Sequence, residues 1–161
     1  MLRSSTPSDA PRICEIYNHY VRDTVVTFEE SPVPEREMSE RIAGVTSHLP
    51  WLVWEQDSTI VGYAHATPWK TRSAYRFSVE STIYLDPKLV GRGIGTTLYR
   101  ALIDELRERN VHCAVGGIAL PNPASIALHE KLGFVKIGQF EEIGWKHGRW
   151  IDVGYWELVL R

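Results

Sequence analysis

Between Val90 and Leu106 the chain reads VGRGIGTTLYRALIDEL. Three glycines in five residues, Gly91, Gly93 and Gly95, run into a segment whose Leu98, Leu102 and Leu106 recur at helical spacing. Just upstream, Arg76–Leu85 alternates with period two. Phe77, Val79, Ser81, Ile83 and Leu85 are expected on one face, and Arg76, Ser78, Glu80, Thr82 and Tyr84 on a polar one. A strand that ends in a glycine turn and feeds a helix demands an α/β arrangement. It also sets the amides of Gly91 through Thr96 at a helix N-terminus, where unpaired N–H groups and the helix dipole favour an anion. Glycine matters there because a Cβ would hold a phosphate off the backbone.

Two familiar phosphate turns are excluded. The dinucleotide fingerprint needs a third glycine where Thr96 stands, and an acidic residue about 20 positions later, but the strand HCAVGGI carries none. A P-loop needs Gly-Lys followed by Ser or Thr, which is absent. A turn cradling a pyrophosphate remains, beside the bland alternative of a tight loop with no ligand.

Around this centre the pattern predicts one mixed α/β domain over residues 1–161, built on a single sheet. Met1–Ser5 reads as a strand, and Thr6-Pro7 as the start of a helix carrying Ile13, Tyr17 and Val21. A second helix runs from Pro34 to Val45 with Met38, Ile42 and Val45 inward. Trp51–Glu55 and Thr59–Thr67 form a hairpin around Gln56-Asp57-Ser58. After the glycine turn and its helix, His112–Ile118 is a strand and Asn122-Pro123 opens a helix to Leu132. Phe134–Gly144 and Trp150–Leu160 close the chain as a strand pair.

The formal charge of −2 gives no electrostatic case for nucleic acid or an anionic membrane as partner. Cys14 and Cys113 are far apart, show no metal-ligand spacing and suggest a reducing, cytoplasmic setting. The segment MLRSSTPSDAPRI lacks the apolar core of a signal peptide, and no apolar run is long enough to span a bilayer.

In this context YLDPKLVGRGIGTTLY resembles the acetyl-coenzyme A motif of the GNAT superfamily of N-acetyltransferases, with Gly93-Ile94-Gly95 matching and Val90 standing where Gln or Arg is usual. LPNPASIALHEKLGF resembles the superfamily's later helix. WKTRSAYRFSVESTIYL, LPWLVWE and GWKHGRWIDVGYWEL are similar to phosphinothricin and methionine sulfoximine N-acetyltransferases.

That resemblance implies the GNAT fold: a central, mostly antiparallel sheet flanked by helices. It also implies acetyl-CoA as co-substrate, a small-molecule amine as acceptor, and a homodimer. Gly91, Arg92, Gly93, Ile94, Gly95 and Thr96 would hold the pyrophosphate. Backbone groups of Ile83, Tyr84 and Leu85, and the Asn122 side chain, would meet the acetyl and pantetheine arm. Glu80 is the expected base for the amine and His129 the expected acid–base partner, with Tyr84 and Tyr99 as alternatives for protonating the thiolate. Phe28, Lys70, Thr71, Arg72, Ser81 and Thr82 would surround the acceptor with Glu80. Arg72 is suited to bidentate capture of a carboxylate or phosphinate. Phe28, Trp69, Tyr75 and Trp150 are candidates for an aromatic wall.

Overall fold

The computed structural model describes residues 1–161. The order is β1 (Leu2–Ser4), α1 (Ala10–Asp23), α2 (Glu35–Thr46), β2 (Trp51–Gln56), β3 (Thr59–Pro68), β4 (Ser78–Leu85), α3 (Ile94–Glu108), β5 (Cys113–Ala119), α4 (Pro123–Lys131), β6 (Val135–Lys146) and β7 (Arg149–Val159). The element order expected from the sequence is the one observed. One start moves: Thr6 precedes a short 3₁₀ turn over Pro7–Asp9, where the Asp9 carboxylate accepts from the Thr6 amide at 2.8 Å, and α1 begins only at Ala10.

All seven strands join one sheet in the order β1-β2-β3-β4-β5-β7-β6. Its neighbours run antiparallel except β4 and β5, which are parallel and linked through α3. Both hairpins turn on two residues with positive φ, Asp57-Ser58 and His147-Gly148. Such turns match the twist of the strands they join.

Helices cover both faces, so the sheet separates two cores. On one side α3 sends Leu98, Leu102 and Leu106 onto Leu52, Ala64, Val79, Ala114 and Trp156. On the other, Ile13, Tyr17 and Val21 of α1 and Met38 and Ile42 of α2 pack on Trp51, Val53, Tyr63 and Tyr84. This second core corrects the expectation that one face of β4 is polar: Tyr84 is buried among Tyr17, Tyr20 and Tyr63. Phe77 also departs from the alternation. It lies just before β4 and is half exposed, because the strand begins only at Ser78.

The parallel pair is short. β4 and β5 are in register only from Ser78↔Cys113 to Glu80↔Val115, although β4 continues to Leu85 and β5 to Ala119. Beyond Glu80 the two strands diverge, and the middle of the sheet opens.

Candidate active site in the split sheet

The split exposes one edge of β4. The Phe77 carbonyl accepts from Cys113 on the β5 side, while the Ser78 carbonyl accepts from Trp69 and the Asp86 amide donates to Val61, both on the β3 side. Peptide groups alternate along a strand, so odd residues face β5. Ile83 therefore presents its N–H and C=O groups, and Leu85 its N–H, to the gap; the Leu85 carbonyl accepts from the Tyr20 hydroxyl at 2.6 Å. Tyr84, expected to contribute backbone there as well, is turned towards β3, where it pairs with Tyr63.

The gap opens into a cavity of about 380 Å³ that reaches both faces of the sheet. Ile118, Asn122, Ser125 and His129 line it on the α3–α4 side; Glu80, Thr82, Phe28 and Tyr155 line it on the other. The glycine turn does not line the cavity but opens α3 next to it, with the Cβ position of Gly95 3.9 Å from Ile83, which does. Gly91 and Gly93 have φ of 85° and 81°, a region that L side chains enter at a cost, and space for a Cβ is open at both. No amide from Gly91 to Thr96 donates to a backbone carbonyl; the first to do so is that of Thr97, to Gly93. Arg92 is exposed, and Ile94 opens α3. Gly95 has a different duty: a Cβ there would lie 3.3 Å from Leu85 and 3.7 Å from Leu128, so its absence lets α3 close on β4 and α4.

Asn122 caps α4, its Oδ1 accepting from the Ser125 amide at 3.1 Å, which leaves its amide nitrogen for the cavity it lines. His129 is 4% exposed. Its Nδ1 lies 2.7 Å from the Ser125 carbonyl, which can only accept, so the ring proton is on Nδ1. Nε2 then accepts from the Tyr99 hydroxyl at 3.0 Å, and Ser81 Oγ donates to the Tyr99 oxygen at 2.7 Å. Burial pushes the His129 pKa down, against the Ser125 hydrogen bond, and keeps the ring neutral. Burial also pushes the Tyr99 hydroxyl up, against the Ser81 hydrogen bond.

Glu80 projects to the opposite side of the sheet. Its carboxyl is half-buried, and burial raises its pKa above the usual carboxylate value while Lys70 pulls the other way. The Glu80 oxygen approaches Gly117, where a Cβ would stand 3.6 Å from it and 3.2 Å from the Tyr155 ring. Phe28 is held against Gly144, and the buried Lys146 Nζ donates to the Thr27 carbonyl at 2.7 Å, bracing the Val26–Phe28 wall.

Several expected residues lie elsewhere. Ser81 faces the α3 side, and its hydroxyl is committed to Tyr99, so it does not sit with Glu80 as an acceptor contact. Tyr84 is largely buried under α1 and meets the cavity beside Thr82, on the face of the sheet opposite His129. Thr71 and Arg72 are in an exposed loop; Arg72 stacks 5.5 Å above the Tyr75 ring and lines no part of the cavity. Trp150 packs on Trp145 at the exposed hairpin, away from the site. Lys70, Trp69 and Tyr75 line a neighbouring cavity that shares Ile143 and Tyr155 with the first.

Gly116, Gly117, Ser125 and Tyr155 were not anticipated. The Gly-Gly pair inside HCAVGGI was the available signal, since glycine within a strand marks a close approach. At Gly116 a Cβ would stand 2.5 Å from His129 Nε2.

Comparison with known proteins agrees with this geometry. The sequence profile of the Acetyltransferase (GNAT) family matches residues 13–134. The chain is 37% identical over 156 residues to the phosphinothricin N-acetyltransferase of Streptomyces viridochromogenes, covering 97% of this chain and 85% of that one. It is 35% identical to the L-methionine sulfoximine/L-methionine sulfone acetyltransferase of Salmonella typhimurium, covering 99% and 94%. The crystal structure of a GNAT superfamily phosphinothricin acetyltransferase from Sinorhizobium meliloti in complex with AcCoA superposes with a TM-score of 0.96 at 37% identity, covering 99% and 88%.

Gly116→Ala is expected to push His129 off Tyr99 and to destabilise the fold by about 1–3 kcal/mol, the usual cost of overpacking. Chemical denaturation measures the loss, and a His129 ring resonance unchanged from wild type would contradict the contact.

Proposed function

The chain belongs to the GNAT acetyltransferase family, and from that premise we propose that it moves the acetyl group of acetyl-CoA to the α-amine of a small amino acid or analogue, such as phosphinothricin or methionine sulfoximine. The observation that carries this reading is the split between β4 and β5, with a row of free amides at one end and a half-buried carboxylate at the other. Six unpaired amides and open space at Gly91 and Gly93 fit a pyrophosphate, and the free edge of Ile83 and Leu85 fits an amide-bearing arm. Bound there, acetyl-CoA supplies an activated thioester.

The protein's own groups supply the rest. An α-amine is mostly protonated at neutral pH, so attack requires a base. Glu80, on the acceptor side and raised in pKa by burial, takes that proton directly or through a water. An N–H group of the free β4 edge donates to the acyl oxygen as charge develops there. His129 lines the cavity beside Asn122, but its one proton is held on the Ser125 carbonyl and its Nε2 accepts from Tyr99, so the neutral ring has none to spare and the leaving thiolate takes its proton from water in the open cavity.

Both free cysteines, Cys14 and Cys113, support a reducing, cytoplasmic setting; no helix is long and apolar enough to cross a membrane. The edge strand β6 exposes Val135, Ile137, Phe140, Ile143 and Trp145, a surface suited to covering by a second copy in a homodimer. Sedimentation at the mass of one 18.4 kDa chain would remove the dimer from this reading.

Thiol release from acetyl-CoA against a panel of amines tests the activity, and silence with every α-amino acid would sink it. Glu80→Gln should lower kcat by about 10²–10⁴-fold and abolish the acid limb of the pH profile, which in wild type falls as pH drops through the raised Glu80 pKa. The sign for stability is opposite. Burial opposes ionisation, so Glu80 costs stability as pH rises through its raised value. Glu80→Gln should therefore melt above wild type at neutral pH, and the gap should close in acid.

Val90, half exposed directly before the turn, offers no charge to a phosphate. Val90→Arg should lower the KM for acetyl-CoA about 2–5-fold, the scale of one charge near a helix N-terminus. An unchanged KM would mean that the position is indifferent.

A further inference from the structure

On the acceptor side of the sheet, under α2, lies a second cavity of about 380 Å³. Thr82 and Tyr84 line both this cavity and the catalytic one, so the two adjoin behind Thr82. Its floor is a cross-strand row: Trp51 on β2 pairs with His65 on β3, which pairs with Thr82 on β4. The next row pairs Thr67 with Glu80. A polar stripe thus runs from the catalytic carboxylate to α2, inside a core that is otherwise aromatic and aliphatic.

Two nitrogens in this row have no partner. Trp51 Nε1 and His65 Nδ1 are sealed from water and make no hydrogen bond, and their rings stack at 4.0 Å. Orphaned buried polar atoms are uncommon; sealed as they are, these two meet no occupant themselves, but they mark the row as polar within an apolar core and leave His65 Nε2 as the nitrogen that can face the cavity His65 lines. An unpartnered His65 Nδ1 costs least as a bare lone pair, which puts the ring proton on Nε2, the nitrogen that is not sealed. Burial, and then the Arg41 charge, hold the His65 pKa down to about 4, so the ring is a neutral donor at physiological pH.

The one cation of the cavity is already engaged. Arg41 lines it but is engaged by the Glu29 carboxylate at 2.6 and 3.0 Å and by Glu37. The cavity therefore offers donors without a free cation, and Met38, Val45 and Tyr63 give it apolar walls. Glu80 and Thr82 are two residues apart on one strand face, about 7 Å, which is close to the reach from an α-amine to the end of a methionine-length side chain.

We propose that this second cavity is the subsite for the neutral, oxygen-bearing end of the acceptor's side chain, with His65 and Thr67 as its specificity-determining donors. This rests on the acetyl transfer to an α-amine proposed above and adds what that reading leaves open. A sulfone, sulfoximine or amide finds hydrogen-bond donors and no unmatched charge. A phosphinate or carboxylate would enter beside Glu29 and Glu37 with no free cation to meet it.

The test compares kcat/KM for methionine sulfone, norleucine (the same chain length without the sulfonyl oxygens) and phosphinothricin, in wild type, His65→Leu and Thr67→Val. His65→Leu should cut the sulfone-to-norleucine ratio about tenfold, the scale of one lost hydrogen bond. Thr67→Val should cut it less, and it carries the test alone if the histidine variant does not fold. The phosphinothricin-to-norleucine ratio should stay level throughout. A sulfone ratio that stays level in the folded variants would show that the cavity holds only water and overturn the subsite. So would phosphinothricin falling in step with the sulfone. Wild type that acetylates none of the three would instead overturn the acetyl transfer on which the subsite rests, whereas normal turnover with level ratios overturns the subsite alone.

Discussion

The site depends on a ladder that stops early. A parallel pair in the middle of a sheet is normally buried and continuous, yet β4 and β5 keep register for three residues and then part. Parting leaves the peptide groups of Ile83 and the Leu85 amide without a strand partner in the interior of the protein, while the Leu85 carbonyl is met by the Tyr20 hydroxyl at 2.6 Å. Unpaired backbone groups are expensive unless water or a ligand meets them, and here the cavity admits both. The helices hold the split open. Gly95 lets α3 approach β4, and the capped start of α4 places Asn122 and His129 along the β5 side. Glu80 and His129 then occupy opposite sides of the sheet, the arrangement that the proposed entry of acyl donor and acceptor from different directions requires.

That division explains why similar residue types behave differently across the split. On the α3 side, His129 is enclosed, neutral and linked to Ser81 through Tyr99, so its protons are fixed by geometry. On the other side Glu80 is only half-buried and feels Lys70, so its ionisation is tuned and not suppressed. Burial acts on both, lowering a base that would be cationic and raising an acid that would be anionic. A shared low-dielectric cleft thus leaves one partner uncharged and the other able to titrate.

Much of this was legible in the sequence, for local reasons. The strand–turn–helix around Gly91-Arg92-Gly93 followed from alternation and glycine chemistry, and the placement of Glu80 on one face of its strand followed from period two. What failed was non-local. Alternation alone cannot tell a solvated face from one covered by helices far earlier in the chain, so it sets Tyr84 on a polar face although α1 and α2 bury it. Loop residues were harder still: Arg72 looked like an anion clamp by chemistry, but its loop carries it onto Tyr75 and out of the cavity. Gly116 and Gly117 acquire meaning only once His129 and Tyr155 are seen against them.

The brace between Lys146 and the Thr27 carbonyl joins segments 119 residues apart. It ties the tip of the C-terminal hairpin to the loop that carries Phe28, and neither segment touches the glycine turn. The breadth of accepted amines can therefore drift through changes in two peripheral loops while the donor half of the machine stays fixed. A chain with this architecture can exchange one small amine for another without rebuilding its catalyst.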